Sequence, residues 1–103
     1  MRLGDMEIER IVEMEGPLMK LRDMLPDVSA EHLDEHRAWL RAAGALDAGD
    51  LAVLAIQSFL VRTPHHTILI DTCVGNDKDR ARFPAWHQKS DTHYLDALAR
   101  GRA

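Results

Sequence analysis

Apolar and charged residues alternate near the start of the chain, over residues 6–14. A repeat of two with one charged side predicts a half-buried β-strand, because successive side chains of a strand point to opposite faces. The face expected to be buried carries Met6, Ile8, Val12 and Met14, interrupted by Arg10. The face expected to contact water carries Ile11 and three acidic residues, Glu7, Glu9 and Glu13.

Two helices are predicted to follow this strand. Gly16-Pro17 is expected to end the strand, and the apolar spacing over residues 17–25 is that of a short helix. Ser29 is the expected N-cap of a longer helix over residues 30–43. Gly44 stands where a glycine commonly follows the end of a helix.

In the centre of the chain, both the odd-numbered and the even-numbered positions are mostly apolar. Residues 51–62 predict a strand with apolar side chains on both faces, and residues 67–70 predict a shorter strand of the same kind. The short connection Thr63-Pro64-His65-His66 predicts that the two strands pair as a hairpin. Because both faces of this hairpin are apolar, both need covering layers.

A polar loop over residues 71–86 leads to a last helix, which Ser90 or Asp91 caps and Gly101 ends. The predicted content is three strands and three helices, a layered α/β (α+β) arrangement in a single domain over residues 1–103. Three strands and short helices cannot cover both faces of the central hairpin. The chain is therefore expected to be an incomplete part of a larger layered structure.

Composition and charge narrow the class of protein. The chain has 103 residues, of which 46% are hydrophobic and 29% charged, which is the usage of a globular domain. A net charge of -4 without a basic run argues against a nucleic-acid partner. A single cysteine excludes an internal disulfide. No signal peptide or membrane-spanning segment is recognisable, so a soluble, cytoplasmic protein without a membrane partner is expected.

Six histidines and one cysteine raise the question of a metal or nucleophilic site. His32-Leu33-Asp34-Glu35-His36 fits the His-x-x-Glu-His pattern of inverted zinc proteases, in which two histidines on one helix face bind zinc. Two solvated histidines on an amphipathic helix explain the same pattern, and this interpretation is favoured. The other four histidines lack the spacing of metal ligands; they are His65, His66, His87 and His93. For Cys73 an inert thiol is the favoured interpretation.

The segment Asp71-Thr72-Cys73-Val74-Gly75-Asn76-Asp77-Lys78 follows a buried strand directly. In layered folds the loops at strand ends collect functional residues. A turn in which the Asp71 carboxylate caps loop amides explains the segment equally well. The residue types alone leave both interpretations open.

Three segments together resemble the N-terminal part of metallo-β-lactamase-fold hydrolases, in the branch of lactonase-like and organophosphate-hydrolase-like enzymes. They are Ser58-Phe59-Leu60-Val61-Arg62-Thr63-Pro64, Thr67-Ile68-Leu69-Ile70 with the Asp71–Lys78 segment, and Phe83-Pro84-Ala85-Trp86-His87. The resemblance implies an αββα sandwich. It also implies that a loop near the parent active site is formed by Asp71, Thr72, Gly75, Asn76, Asp77 and Lys78.

In that family two metal ions, commonly zinc, bind a His-x-His-x-Asp-His motif and activate a hydroxide for attack on lactones, esters or phosphotriesters. This sequence lacks the motif, and none of its histidines matches a ligand position. The resemblance therefore predicts the N-terminal half of such a hydrolase, truncated before its metal ligands. This chain is expected to bind no cofactor and to be catalytically incompetent alone, whereas the full-length family holds dinuclear zinc.

Two other functions remain open from the residues. The chain could be a non-catalytic interaction protein that self-associates, or binds a complementary C-terminal half, through the open face of its half-sandwich. It could instead be a small metal-binding or metalloprotease-like module that uses His32 and His36.

Overall fold

The structure, a computed structural model, describes residues 1–101. It combines four strands and three helices and is an α+β structure, which agrees with the predicted mixture of strands and helices. The strands form one antiparallel sheet in the order β1-β2-β3-β4. Their bounds are β1 Arg2–Leu3, β2 Met6–Lys20, β3 Leu51–Arg62 and β4 Thr67–Ile70. The helices are α1 Leu21–Met24, α2 Ala30–Ala42 and α3 His93–Gly101.

The central hairpin is confirmed at both strands. β3 and β4 pair antiparallel from Phe59 opposite Ile70 to Arg62 opposite Thr67. The N–H of Thr63 donates to the carbonyl of His66 over 2.8 Å and closes the turn between them. The apolar, partly β-branched sequence of both strands suits a pleated surface.

The longer predicted helix is also confirmed. The Ser29 hydroxyl accepts a hydrogen bond from the N–H of His32 at 3.1 Å, which satisfies one free donor at the start of α2. Gly44 follows the helix with a φ of 75°, a left-handed conformation that glycine adopts without steric cost. The helix ends one residue earlier than predicted.

The predicted end of the first strand is wrong. β2 continues through Gly16-Pro17 to Lys20, and helix α1 has only four residues instead of spanning 17–25. Gly16 takes a φ of 152°, so a distortion that glycine tolerates lets the strand pass this point. The two-residue strand β1 was not expected; it pairs with Met6 and Glu7 across a turn at Gly4, whose φ is 61°.

The chain forms two compact units, Met1–Met14 with the chain from Ile56 onward, and Glu15–Ala55. The second unit is built around three buried side chains, Leu33, Leu46 and Ala52. At its surface Asp50 accepts hydrogen bonds from Arg37 and Arg41, each at 2.9 Å. The hydrogen bond from Arg37 is the main cause that holds the pKa of Asp50 below its usual value.

In the first unit, α3 packs on the sheet face that the sequence pattern assigned to water. Gly101 lies in such close contact with β2 that a Cβ there would come within 3.0 Å of Glu9 and 3.1 Å of Ile11. Ile11 and Glu13 are buried, whereas the expected inner residues, Met6, Ile8, Val12 and Met14, are only partly buried. The acidic side chains on this face of β2 tolerate burial because they are paired with cations; a Glu9 carboxylate oxygen, for example, lies 3.2 Å from the Arg62 guanidinium.

The opposite face of the hairpin is apolar and more open. We call Phe59, Ile68 and Ile70 the open sheet face. Cross-strand pairing places these side chains together with the buried Val61, on the other side from Ser58 and Leu60. Ile68 is 47% exposed and Ile70 is 52% exposed. Within residues 1–101, no helix has both the length and the apolar character that crossing a bilayer requires.

Candidate functional site

The loop that leaves β4 has an unusual backbone. Every second residue has a positive φ: 68° at Asp71, 61° at Cys73, 74° at Gly75 and 55° at Asp77. Positive φ is uncommon outside glycine and needs support from surrounding contacts. One support is local, since the Asp71 carboxylate accepts a hydrogen bond from the N–H of Cys73 at 2.7 Å. The capping role considered for Asp71 is therefore present.

The stronger support comes from Glu13 of β2, whose side chain is only 1% exposed. Its Oε2 accepts the N–H of Val74 at 2.9 Å, and its Oε1 accepts the N–H of Gly75 at 3.2 Å. Hydrogen bonds from backbone N–H groups to a carboxylate are about twice as strong as those between neutral groups. The centre of the sheet is thereby joined directly to the loop backbone.

Lys89 completes this arrangement, with a side chain that is 6% exposed. Its Nζ lies 3.1 Å from Glu13, 2.9 Å from Asp91 and 3.2 Å from the side-chain oxygen of Asn76. The ammonium group therefore has a partner for each of its three N–H donors. Burial lowers the pKa of Lys89, but the hydrogen bonds to Asp91 and Glu13 outweigh it and leave the pKa raised. The Lys89 ammonium holds the pKa of Asp91 below its usual value.

The six predicted site residues divide into two groups. Gly75, Asn76 and Asp77 join the Glu13–Lys89 pair: Asn76 donates to the carbonyl of Asp91 at 2.6 Å, and the N–H of Asp77 donates to the carbonyl of Lys89 at 2.8 Å. Asp77 makes this contact through its backbone and is exposed, as are the other three residues; they are Asp71, Thr72 and Lys78. The segment is therefore one loop with a buried side and a solvent-facing side.

Asp91 has a second role at the start of α3. Its carboxylate accepts a hydrogen bond from the N–H of His93 at 3.1 Å. Of the two predicted caps, Ser90 and Asp91, only Asp91 contacts the first residue of the helix in this way. The Asp91 carboxylate therefore joins the loop cluster to the helix.

Cys73 lies beside this cluster, in a row of three polar side chains. Its Sγ is 3.2 Å from the hydroxyl of Ser58, which is 3.0 Å from the hydroxyl of Tyr94 on α3. Burial raises the pKa of the Cys73 thiol, and the hydrogen bond between Cys73 and Ser58 offsets only part of that effect. A protonated thiol is a poor nucleophile, which agrees with the inert role favoured for Cys73.

The histidines make contacts of other kinds. His36 accepts a hydrogen bond from the indole N–H of Trp39 at 2.9 Å, and His87 accepts one from the N–H of Arg80 at 2.9 Å. Across residues 1–101, no three side chains of His, Cys, Asp or Glu come together as metal ligands would. The residues that the structure describes do not fit a dinuclear zinc centre by themselves.

The central residues of the cluster, Glu13 and Lys89, were not among the predicted site residues. The alternation over residues 6–14 predicts Glu13 on the water-facing side of its strand, and Lys89 stands in a polar segment without a motif. Ser58 offered a weak signal, since it is a polar residue between the apolar Ile56 and Leu60 on one face of β3, a face on which the only other polar residue is Arg62 at the strand end. Such a position usually needs a hydrogen-bond partner once it is buried.

No protein-family model, curated protein or solved structure matches this chain.

Proposed function

We propose that this chain forms the N-terminal half of a metallo-β-lactamase-like αββα sandwich in a metal-dependent hydrolase of lactones, esters or phosphotriesters. In this assignment the chain contributes the sheet and the 71–78 loop beside the reaction centre. In this assignment the zinc ligands are supplied by the C-terminal half, in the His-x-His-x-Asp-His motif that the resemblance implies. The chain by itself is then inactive.

The observation that carries this proposal is the position and support of the 71–78 loop. It leaves the end of an apolar strand and holds four positive φ angles, while Glu13 and Lys89 secure it from the buried side. Loops with costly backbone angles and strong internal support are found disproportionately at functional sites. The motif resemblance over residues 58–87 indicates which kind of functional site this is, the surroundings of a hydrolase metal centre.

The sheet supplies a second supporting feature. Helix α3 contacts one face of the hairpin, where the Tyr94 hydroxyl lies 3.0 Å from that of Ser58, while Ile68 and Ile70 are half exposed on the other face. A half-sandwich is expected to have this distribution, because the inner face that the second sheet covers in a complete sandwich is left open. In this proposal the open sheet face is the surface that a C-terminal half covers.

The nucleotide sequence that follows the codon for Ala103 in the source transcript tests this assignment. A reading frame that encodes His-x-His-x-Asp-His soon after that codon is the expected result. Joining that segment to this chain is expected to produce zinc-dependent turnover of a lactone, and Asp71→Ala in the joined protein is expected to reduce it. Absence of the motif from all three forward frames would overturn the assignment.

The exposed Ile68 and Ile70 also favour a second candidate, a non-catalytic protein that pairs with a copy of itself through the open sheet face. Sedimentation of the purified chain distinguishes the two: this candidate requires a dimer that Ile68→Lys converts to monomer. Leu95→Lys is the matched control, since Leu95 is 61% exposed but lies on α3. A wild-type monomer removes this candidate.

A further inference from the structure

We propose that the 71–78 loop contains an anion cradle, formed by the N–H groups of Val74 and Gly75 with the Lys89 ammonium, and that the carboxylate of Glu13 is its internal ligand. Glu13 is then a positioning residue whose negative charge sets the path of the loop. This inference deepens the proposed function and rests on it only for the statement that the loop borders an active site.

The donors converge on one carboxylate. Val74 and Gly75 are adjacent, and their N–H groups reach the two oxygens of Glu13 at 2.9 Å and 3.2 Å. Successive backbone N–H groups that point to one place form a concavity that binds anions. Lys89, at 3.1 Å from Oε1, adds a full positive charge to the same place. Three donors of this kind define a site for a carboxylate.

Glu13 positions the loop, and not the reverse, because Glu13 lies in the sheet whereas the loop lies outside it. Glu13 belongs to the 15-residue strand β2, whose neighbours in the sheet are β1 and β3. The loop has no strand pairing of its own between residues 71 and 78. Because the sheet is the more rigid partner, the carboxylate holds the loop, and its loss is expected to release the loop while the hairpin keeps its pairing.

The cradle also predicts which small molecules replace the missing side chain. Glu13→Ala removes the carboxylate but leaves both N–H groups and Lys89. A formate ion carries the same charge and the same two oxygens as the lost group, whereas formamide has a similar size without the charge. Formate and not formamide is therefore expected to occupy the vacated position.

Hydrogen exchange of the Val74 and Gly75 amides, read by NMR in the full chain, tests this inference. Glu13→Ala is expected to speed their exchange by about 10- to 100-fold, the effect of losing hydrogen bonds to a charged group. Amides of the β3–β4 hairpin serve as the internal reference and are expected to stay unchanged. Sodium formate is expected to restore protection, while formamide with sodium chloride at equal ionic strength is not.

Wild-type protection in Glu13→Ala, or equal rescue by formamide, would overturn the inference. Should that variant lose hairpin protection as well, Glu13→Gln decides, because its amide keeps the size of the side chain but offers one acceptor oxygen. Selective loss of protection at a loop amide supports the cradle; unchanged loop amides, or loss of the hairpin here too, contradict it. None of these results depends on a hydrolase motif after Ala103, so failure of the proposed function remains distinguishable.

Discussion

The Oε1 of Glu13 and the Nζ of Lys89 lie 3.1 Å apart, and both side chains are almost fully buried. One residue belongs to an early strand, and the other precedes the last helix. Both residues also contact the 71–78 loop: Glu13 accepts the N–H of Val74, and Lys89 donates to the side chain of Asn76. A buried charge without its partner is costly, so this pair determines how the surrounding variants should behave.

Removing one member of the pair is expected to cost more than removing both charges. Lys89→Met leaves the Glu13 carboxylate buried without its cation, and we expect a loss of about 3–5 kcal/mol in the free energy of unfolding. The double variant Glu13→Gln/Lys89→Met is expected to recover a large part of that loss. Urea denaturation of the wild type, Lys89→Met, Glu13→Gln and the double variant gives the coupling energy, and additive effects would contradict a direct pair.

The Cys73 thiol is expected to react slowly in the folded protein. Because burial raises its pKa, less thiolate is present at neutral pH than in the unfolded chain, and alkylation by iodoacetamide should be slower than in urea at the same pH. Ser58→Ala removes the hydrogen bond that lowers this pKa and should slow the reaction further. Faster alkylation of the folded protein would show that the thiol is activated.

The same thiol has a consequence for stability at alkaline pH. The folded protein holds the Cys73 proton more tightly than the unfolded chain does, so unfolding releases a proton. Stability is therefore expected to fall as the pH rises through the ordinary thiol pKa of about 8.5. Cys73→Ser should weaken this dependence in urea denaturation at pH 7 and above, and an unchanged dependence would assign it to other groups.

Acid is expected to weaken both units through depressed carboxyl pKa values. The pKa of Asp91 is lowered by Lys89 and that of Asp50 by Arg37, so each carboxylate stabilises the fold above its unfolded pKa of about 3.9 and loses that effect as the pH falls below it. Urea midpoints should decline from about pH 5 downward. Asp91→Asn should make the decline shallower, and an identical slope would contradict its role.

A glycine is expected to be needed at position 75 because of the positive φ, and not because a larger side chain would clash with its neighbours. A Cβ at this position would meet only the Lys78 side chain, at 3.9 Å, but the φ of 74° is strained for most residues. Gly75→Ala is therefore expected to cost about 1 kcal/mol, and Gly75→Asn less, because asparagine tolerates left-handed conformations better. Thermal denaturation compares the two variants; equal losses would mean that φ is not the cause.

Several elements could be predicted because their signals are local. The pairing strands β3 and β4 have apolar runs bounded by turn residues, and the Ser29 cap stands directly before its helix. The strand through Gly16-Pro17 could not be predicted in the same way. Glycine and proline usually end a strand, but here the surrounding sheet accommodates the distorted backbone at Gly16.

The candidate site was predictable only on the loop side. Asp71, Gly75 and Asn76 follow an apolar strand in a recognisable pattern. Glu13 was not predictable, because alternation identifies two faces of a strand without saying which one a helix covers. α3 covers the acidic face, and Lys89 compensates the Glu13 charge from a distant part of the chain. Long-range compensation of this kind leaves no local signature.

Metal analysis combined with a turnover assay on the purified 103-residue chain tests most directly whether the zinc ligands lie outside these residues. After zinc loading and removal of excess metal, the expected result is less than one zinc per chain and no chelator-sensitive hydrolysis of a lactone or a phosphotriester. Stoichiometric zinc together with hydrolysis that a chelator abolishes would contradict the proposed half-sandwich and require a complete metal site within this chain.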